Sequence, residues 1–479
     1  MKTILVIVLA AFTLSCGNKQ QENTAEKINK EIAAGNFLIA DSLINKYIDE
    51  NKLSESEIYD LRFQQDLMAR KVLDFNKNKE DVVEYISKYY PDVDDAMLEK
   101  WESTNALEAM IINGEKKYFR AAARNLFRID KDALARKIEI DGKGNDELQT
   151  LLEEHLPKII AQAKTSQQHQ GIQKRMKITY KLVVPADVVP ANEKISCWLP
   201  YPRTDNRRQT DIELLSVDAG DFDYIISPDE YLHKSLYIEK TAKEGEPTTF
   251  GLSFTMTAIS EWFGLKPENI KPYDKESELY KKYTAERKTH VIFTDLIKEF
   301  SKKIVGDETN PLLVSNKILQ YIKDNYPWAS ALEYSTMENI PEYVLRNNHG
   351  DCGMVGLLYV TLCRYNGIPA KWQSGFMLHP CEINLHDWTE TYFEGIGWVP
   401  TDPSFIRRSF DDEEENAFYS NGIDAYRWIV NDDFSQDFYP AKKYPRSETV
   451  DFQRGEVEWS GGNLYFNKWR WNIDVEYLD

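Results

Sequence analysis

The chain has 479 residues, enough for about two to four domains rather than one. Its residues are 42% hydrophobic, 29% charged and 12% aromatic, a composition that builds packed cores and excludes global disorder. The formal net charge of -19, from 59 Lys and Arg against 78 Asp and Glu, lacks the basic face of a nucleic-acid binder, and acidity of this kind speaks mainly to solubility.

The chain opens with Lys2, then an apolar stretch from Ile4 to Leu14, then Ser15-Cys16-Gly17. That stretch is too short to span a bilayer and suits a signal peptide over residues 1–15. Ser15 before Cys16 resembles a bacterial lipobox, cut before Cys16 and lipidated on it, although Leu14 sits one place nearer the Cys than the usual pattern. An ordinary secretory signal with an incidental Cys is the alternative. The expectation is a protein of the bacterial cell envelope, lipid-anchored to the outer membrane and facing the periplasm or the exterior. Residues 16–29 are polar and resemble a tether.

Residues 30–165 read as a helical domain. Ile32, Phe37, Leu43 and Ile44 recur at helical spacing, as do Ala106, Leu107, Met110 and Ile111. Asp60-Leu61-Arg62 and Asn125-Leu126-Phe127-Arg128 lie inside such runs. The composition turns to Ser, Gln and His around 166–171, a linker, and then the period becomes two. Met176 to Val184, Ile195 to Pro200 and Phe250 to Thr257 resemble strands with Pro and Gly between them, giving a β-sandwich domain over 172–262. Trp198 to Arg203 read as a strand end and a Pro-rigid turn.

Helices return over about 273–328. Asn310-Pro311 is a helix start, and Asn325-Tyr326-Pro327 ends that helix. The acidic run Asp411 to Glu415 lacks EF-hand spacing and reads as a solvated loop. Beyond Arg427 the tail alternates again, at Val457 to Trp459 and Asn463 to Phe466, with a hairpin at Gly461-Gly462. Residues 273–479 thus form a third domain with a C-terminal β extension, and the fold class is α+β, multidomain.

The chemistry concentrates between 348 and 403. Five Cys are present, with no framework spacing for disulfides and no CxxC or CxxH pattern for zinc, so no metal or other cofactor is expected. Gly350 permits a tight turn, Asp351 suits an N-cap, and Met354 to Cys363 is apolar nearly all round, as in a buried helix. Asn366-Gly367-Ile368-Pro369 ends it. Cys352 therefore stands in a first helical turn, where free N–H groups and the helix dipole favour a thiolate. Downstream, Asn384 to Tyr392 reads as a strand carrying His386, and Trp398 to Asp402 as a second strand. A turn centred on Glu394 would set His386 opposite Asp402, whereas Gly395 and Gly397 would offset the pair. A carboxylate there fixes the imidazole tautomer and stabilises the imidazolium. Asp387 is a rival to Asp402, but adjacent strand residues face opposite ways. His349 and His379 read as loop residues, and Cys363 as core.

Gly350-Asp351-Cys352-Gly353 at a helix start, His386-x-Trp388-x-Glu390, and Gly397-Trp398-Val399-Pro400-x-Asp402 together resemble the transglutaminase-like superfamily, over roughly residues 300 to 410. The resemblance implies a papain-like α+β core with Cys352 as nucleophile, His386 as general acid/base and Asp402 as its orienter. It also implies a further oxyanion donor upstream of the Cys, for which Trp328 or Tyr326 are candidates beside the Cys352 backbone N–H. Trp388 and Glu390 share the His386 face and are candidate walls of a substrate site, as is Trp328. The expected activity is hydrolysis of a peptide or other amide bond through a thioester, on a peptide, protein or cell-wall substrate. The alternatives are a protein-crosslinking transglutaminase and a non-catalytic binding lipoprotein.

Overall fold

The computed structural model describes residues 18–479 apart from 167, 221 and 479. The signal peptide and Cys16 lie outside the described residues. The chain divides into two compact units, 1–143 and 144–479. No helix among the described residues is long and apolar enough to cross a membrane.

The first unit holds seven helices, from Asn18–Ala33 to Lys131–Asp141, and one β-hairpin. The segment read as a tether is thus helical from Asn18 onward. Ser54 opens the helix Glu55–Asp74 with a reciprocal capping box: its hydroxyl oxygen accepts from the Glu57 N–H, and its own N–H reaches the Glu57 carboxylate. The apolar spacing around Ala106 to Ile111 is not helical. Ala109–Ile112 pairs antiparallel with Glu115–Tyr118 across Asn113-Gly114, both at positive φ. That two-residue turn selects a hairpin and overrides the apolar period.

The second unit begins with the helix Glu147–Thr165, so the division falls at Lys143/Gly144 rather than at 165. This helix buries Leu148, Leu152, Leu156, Ile159 and Ile160 in the same core as the helices further along. The anticipated sandwich strands are present as Gln170–Val184, Lys194–Pro200 and Thr248–Trp262, but they do not close a domain over 172–262. The tail strand Arg470–Tyr477 pairs along Gln170–Val184, and Glu456–Trp459 pairs with Lys194–Pro200. The sandwich is therefore completed by residues nearly three hundred positions away, and its core takes Phe376, Trp428, Phe452 and Trp469 from the C-terminal third.

Between the sandwich and the helices runs a four-stranded antiparallel sheet, in the order Gly397–Thr401, Glu382–Phe393, Ala370–His379, Arg427–Asn431. The helix Cys352–Tyr365 packs on it and is buried along nearly its whole length. The helix Pro311–Asn325 packs beside that helix; Asn310 caps it by accepting from the N–H groups of Leu312 and Leu313, and Pro311 takes the first turn, where no N–H is needed. The acidic run is partly a cap as well, with Asp412 accepting from Glu414 and Glu415 N–H at the start of Glu413–Asn416.

Gly375 in the central strand meets the carbonyl of Trp428 so closely that a Cβ would lie 1.9 Å from that oxygen. Gly375→Ala must push the Arg427–Asn431 strand away, at a cost of about 3 kcal/mol. Urea unfolding of the variant should show a clearly lowered midpoint; an unchanged midpoint contradicts this packing.

Candidate active site

Cys352 is the first residue of its helix. Asp351 before it is the N-cap, accepting from Met354 N–H at 3.0 Å and from the Tyr334 hydroxyl at 2.7 Å. Gly353 follows because nothing larger fits: a Cβ there would lie 2.2 Å from Tyr334 Oη, 2.6 Å from Asp387 Oδ2 and 2.6 Å from the Trp372 ring. The helix start is thus pressed against the Ala370–His379 and Glu382–Phe393 strands.

Those strands set the second half of the site. The register pairs Thr389 with Thr401 and Phe393 with Gly397, so the turn centres on Gly395 and not on Glu394. His386 and Asp402 are therefore a diagonal pair on one face, still within reach. His386 Nε2 and Asp402 Oδ2 are 2.8 Å apart. Asp402 Oδ1 accepts from the N–H groups of Ser404 at 3.0 Å and Phe405 at 2.9 Å, and the Arg427 guanidinium stands 3.2 Å from Oδ2. Arg427 also clasps Asp424 at 2.7 Å, and Asp424 in turn faces His379 Nε2 at 3.2 Å. His379 is the fully buried last residue of its strand rather than a loop residue.

Burial alone would raise the Asp402 carboxyl, yet His386, Arg427 and the Phe405 N–H hold it below its ordinary value. Asp402 is ionised at neutral pH, so His386 carries its hydrogen on Nε2 and presents the Nδ1 lone pair. Desolvation outweighs Asp402 and holds the imidazole below its ordinary value, hence neutral at pH 7.

The sulfur departs from expectation. Strand alternation sends Asp387 to the face opposite His386, toward the helix, and Cys352 Sγ donates to Asp387 Oδ2 at 3.3 Å. Burial raises the thiol well above its ordinary value, and the carboxyls of Asp387 and Asp351 add to this. The helix-terminus dipole does not win here, because burial first, and then the carboxyls of strand residue Asp387 and N-cap Asp351, oppose the charged sulfur. Burial thus favours the neutral form of both the thiol and the imidazole, rather than a thiolate and an imidazolium.

The candidate walls fare unequally. Trp388 is fully buried, with Nε1 donating to Gln373 Oε1 at 2.7 Å. Glu390 is buried and ion-paired to Lys371 at 3.1 Å and to Arg208 at 3.5 Å. Burial would raise its carboxyl, but these cations and Arg207 bring it down to about 2. Both side chains lie on the same strand face as His386 and are engaged by buried partners. Tyr326 is likewise a core residue. Trp328 is 41% exposed, and its neighbours Pro327 and Ala329 bond the Gly350 backbone, which sets it beside the Cys352 turn. Cys363 is core as anticipated, and Cys197 is buried in the sandwich.

Sequence reading missed four residues that touch the site. Arg427 and Gln453 come from beyond the motif region with no local signal. Tyr334 was readable only as one aromatic among many. Arg407 bonds the Gly350 carbonyl at 3.3 Å, and burial lowers its guanidinium to about 10.

This geometry matches what comparison finds. The model of the transglutaminase-like superfamily core matches residues 298–403, from just before the Pro311–Asn325 helix to just past Asp402. The core of this chain belongs to the transglutaminase-like superfamily. An uncharacterised protein of Haemophilus influenzae is 25% identical over 329 residues, 58% of this chain and 84% of the relative. Among solved structures, a candidate cysteine protease from Cytophaga hutchinsonii is similar over 65% of this chain and 92% of its own, at 15% identity and a TM-score of 0.42. The periplasmic domain of TgpA from Pseudomonas aeruginosa is similar over 47% of this chain and 93% of its own, at 12% identity and a TM-score of 0.23.

Arg427, which lies beyond the matched residues 298–403, is the cation shared by two buried carboxylates, Asp402 and Asp424. Arg427→Met removes the buried cation that Asp402 and Asp424 share, at a cost of about 3–5 kcal/mol. The check is a thermal melt, in which Arg427→Met should unfold far below the parent protein; equal melting would remove Arg427 from this role.

Proposed function

We propose that the chain is a cysteine hydrolase acting on peptide or other amide bonds, with Cys352 as nucleophile, His386 as general acid/base and Asp402 as the group that orients the imidazole. The observations that carry this reading are the braced His386–Asp402 couple and a cysteine at a helix start, which carry the superfamily motifs. In the reaction the thiol attacks the carbonyl carbon while His386 Nδ1 takes its proton, so the sulfur gains charge only as the S–C bond forms. The Cys352 backbone N–H, in a helical turn that has no intrahelical acceptor, receives the developing oxyanion. His386 then hands the proton to the leaving amine, and water hydrolyses the thioester by the same route in reverse. Trp328, exposed beside the Cys352 turn, is the proposed wall of the substrate site.

Hydrolysis is preferred to crosslinking because water is always at hand, and no second site for an amine is identified. The substrates proposed are peptides, proteins and cell-wall fragments. A non-catalytic binding lipoprotein is the second reading; it is favoured by the engagement of the sulfur with Asp387 rather than with His386.

Turnover of a peptide and cell-wall fragment library decides between them. Cys352→Ala should abolish turnover, and Asp402→Asn should lower kcat by roughly 1,000- to 10,000-fold, since the wrong tautomer is then favoured. Release of ammonia or free amine without incorporation of an added amine supports hydrolysis, and amine uptake supports crosslinking. Turnover that survives in Cys352→Ala would end the proposal.

Anchoring to the bacterial envelope, with the outer membrane first, belongs to the same proposal and rests on the sequence around Cys16. Cells fed an alkyne fatty acid should label the full chain but not Cys16→Ala. Equal labelling of both would remove the lipid anchor.

A further inference from the structure

The His386–Asp402 couple leaves a second carboxyl unused at the same sulfur. Asp387 Oδ2 accepts from the Cys352 thiol at 3.3 Å and from the Tyr334 hydroxyl at 3.4 Å, and Oδ1 accepts from Gln453 Nε2 at 2.9 Å. The same Gln453 amide reaches the carbonyls of Gly375 and His386, both at 3.0 Å, so it locks the strand backbone as well as the carboxyl. The Asp387 and Asp451 carboxyls are close enough that each shifts the ionisation of the other. Asp451 and Gln453 arrive on the segment between Arg427–Asn431 and Glu456–Trp459, beyond the matched core of 298–403. Asp387, Asp451 and Gln453 are 3%, 5% and 7% exposed.

Two neighbouring carboxyls in the interior oppose each other's ionisation, which favours one proton held by the pair. The surrounding charged groups do not change that. Arg454 is committed to Glu333 at 2.6 Å, and Arg446 donates to the backbone carbonyl of Asp451. Glu448 and Asp351 add negative potential, while Arg407, which bonds the Gly350 carbonyl, is the cation facing Cys352, Asp351 and Asp402. His386 points from the other face.

We propose that Asp387, backed by Asp451, is a positioning residue that keeps the resting Cys352 a hydrogen-bonded thiol, so that the sulfur loses its proton only on passing it to His386. This inference rests on Cys352 being the nucleophile and deepens that reading. No bond other than that to the transferred proton changes in the step: the S–H proton moves to Nδ1, while the proton between Asp387 and Asp451 stays where it is. The pair therefore adds no second negative charge next to the tetrahedral oxyanion.

The test is the rate of Cys352 alkylation by iodoacetamide across pH, on the full chain, for the parent protein, Asp387→Asn and Asp451→Asn. The parent thiol should titrate above a free thiol. Asp387→Asn removes the nearer carboxyl; its midpoint should fall by about one unit, which makes labelling at pH 7 roughly tenfold faster. Asp451→Asn takes away the proton-sharing partner and leaves Asp387 ionised beside the sulfur, so labelling at pH 7 should slow. Opposite signs from two neighbouring substitutions are not what general damage produces. An unchanged or slower Asp387→Asn overturns the inference. Should that variant not fold, an unchanged or faster Asp451→Asn overturns it instead. If the profiles fail to move while hydrolysis still requires Cys352, this inference alone falls; if hydrolysis does not require Cys352, the nucleophile reading falls as well.

Discussion

A β-strand delivers successive side chains to opposite faces, and in Glu382–Phe393 that period divides the chemistry of the site. One face carries His386, bonded to Asp402; the other carries Asp387, bonded to Cys352. A one-residue slip in this strand would exchange the two sets and break both the His386–Asp402 and the Cys352–Asp387 bonds. The register is pinned from both sides, by Gly375 against the Trp428 carbonyl and by Gln453 bonded to the carbonyls of Gly375 and His386.

The electrostatics follow from that division. The His386 face holds an ionised Asp402 because Arg427 and two backbone N–H groups stabilise its charge. The opposite face gathers Asp351, Asp387 and Asp451, whose carboxyls are all raised by burial, and Asp451 further raises the other two; Asp351 and Asp451 stand at about 6. A helix N-terminus stabilises nearby negative charge by about 0.3–1 kcal/mol at exposed positions. Enclosing a thiolate beside these acids opposes that, and the thiol stays protonated. Chemistry at such a sulfur has to couple ionisation to proton transfer.

The supporting frame is as much sandwich as core. Glu390 and Trp388, on the His386 face, end in a buried network with Lys371, Arg208 and Gln373, and Arg207 and Arg208 both face Glu261 of the sandwich strand Thr248–Trp262. The C-terminal segment adds Arg427, Asp451 and Gln453 from outside the superfamily core. The site is held from three directions by parts of the chain that lie far apart in sequence.

Local signals were legible because they act over a few residues. Asn310-Pro311 starts a helix through one side chain and one ring, Gly350-Asp351-Cys352-Gly353 opens another, and the spacing of His386 and Asp402 leaves little choice of partner once two strands are granted. The strands of the sandwich followed from hydrophobic period, and the α+β core from the motifs that resemble the superfamily. The hairpin at Asn113-Gly114 had a local signal too, and it outweighs the apolar spacing on either side of it. What tertiary structure alone decided are the long-range pairings and the protonation of the sulfur. No pattern near residue 470 tells that Arg470–Tyr477 completes a sheet begun at Gln170, and nothing around Cys352 tells that Asp451 stands behind Asp387. A side chain's charge state is set by the sum of burial and neighbours from every direction, and only the folded chain brings those neighbours together.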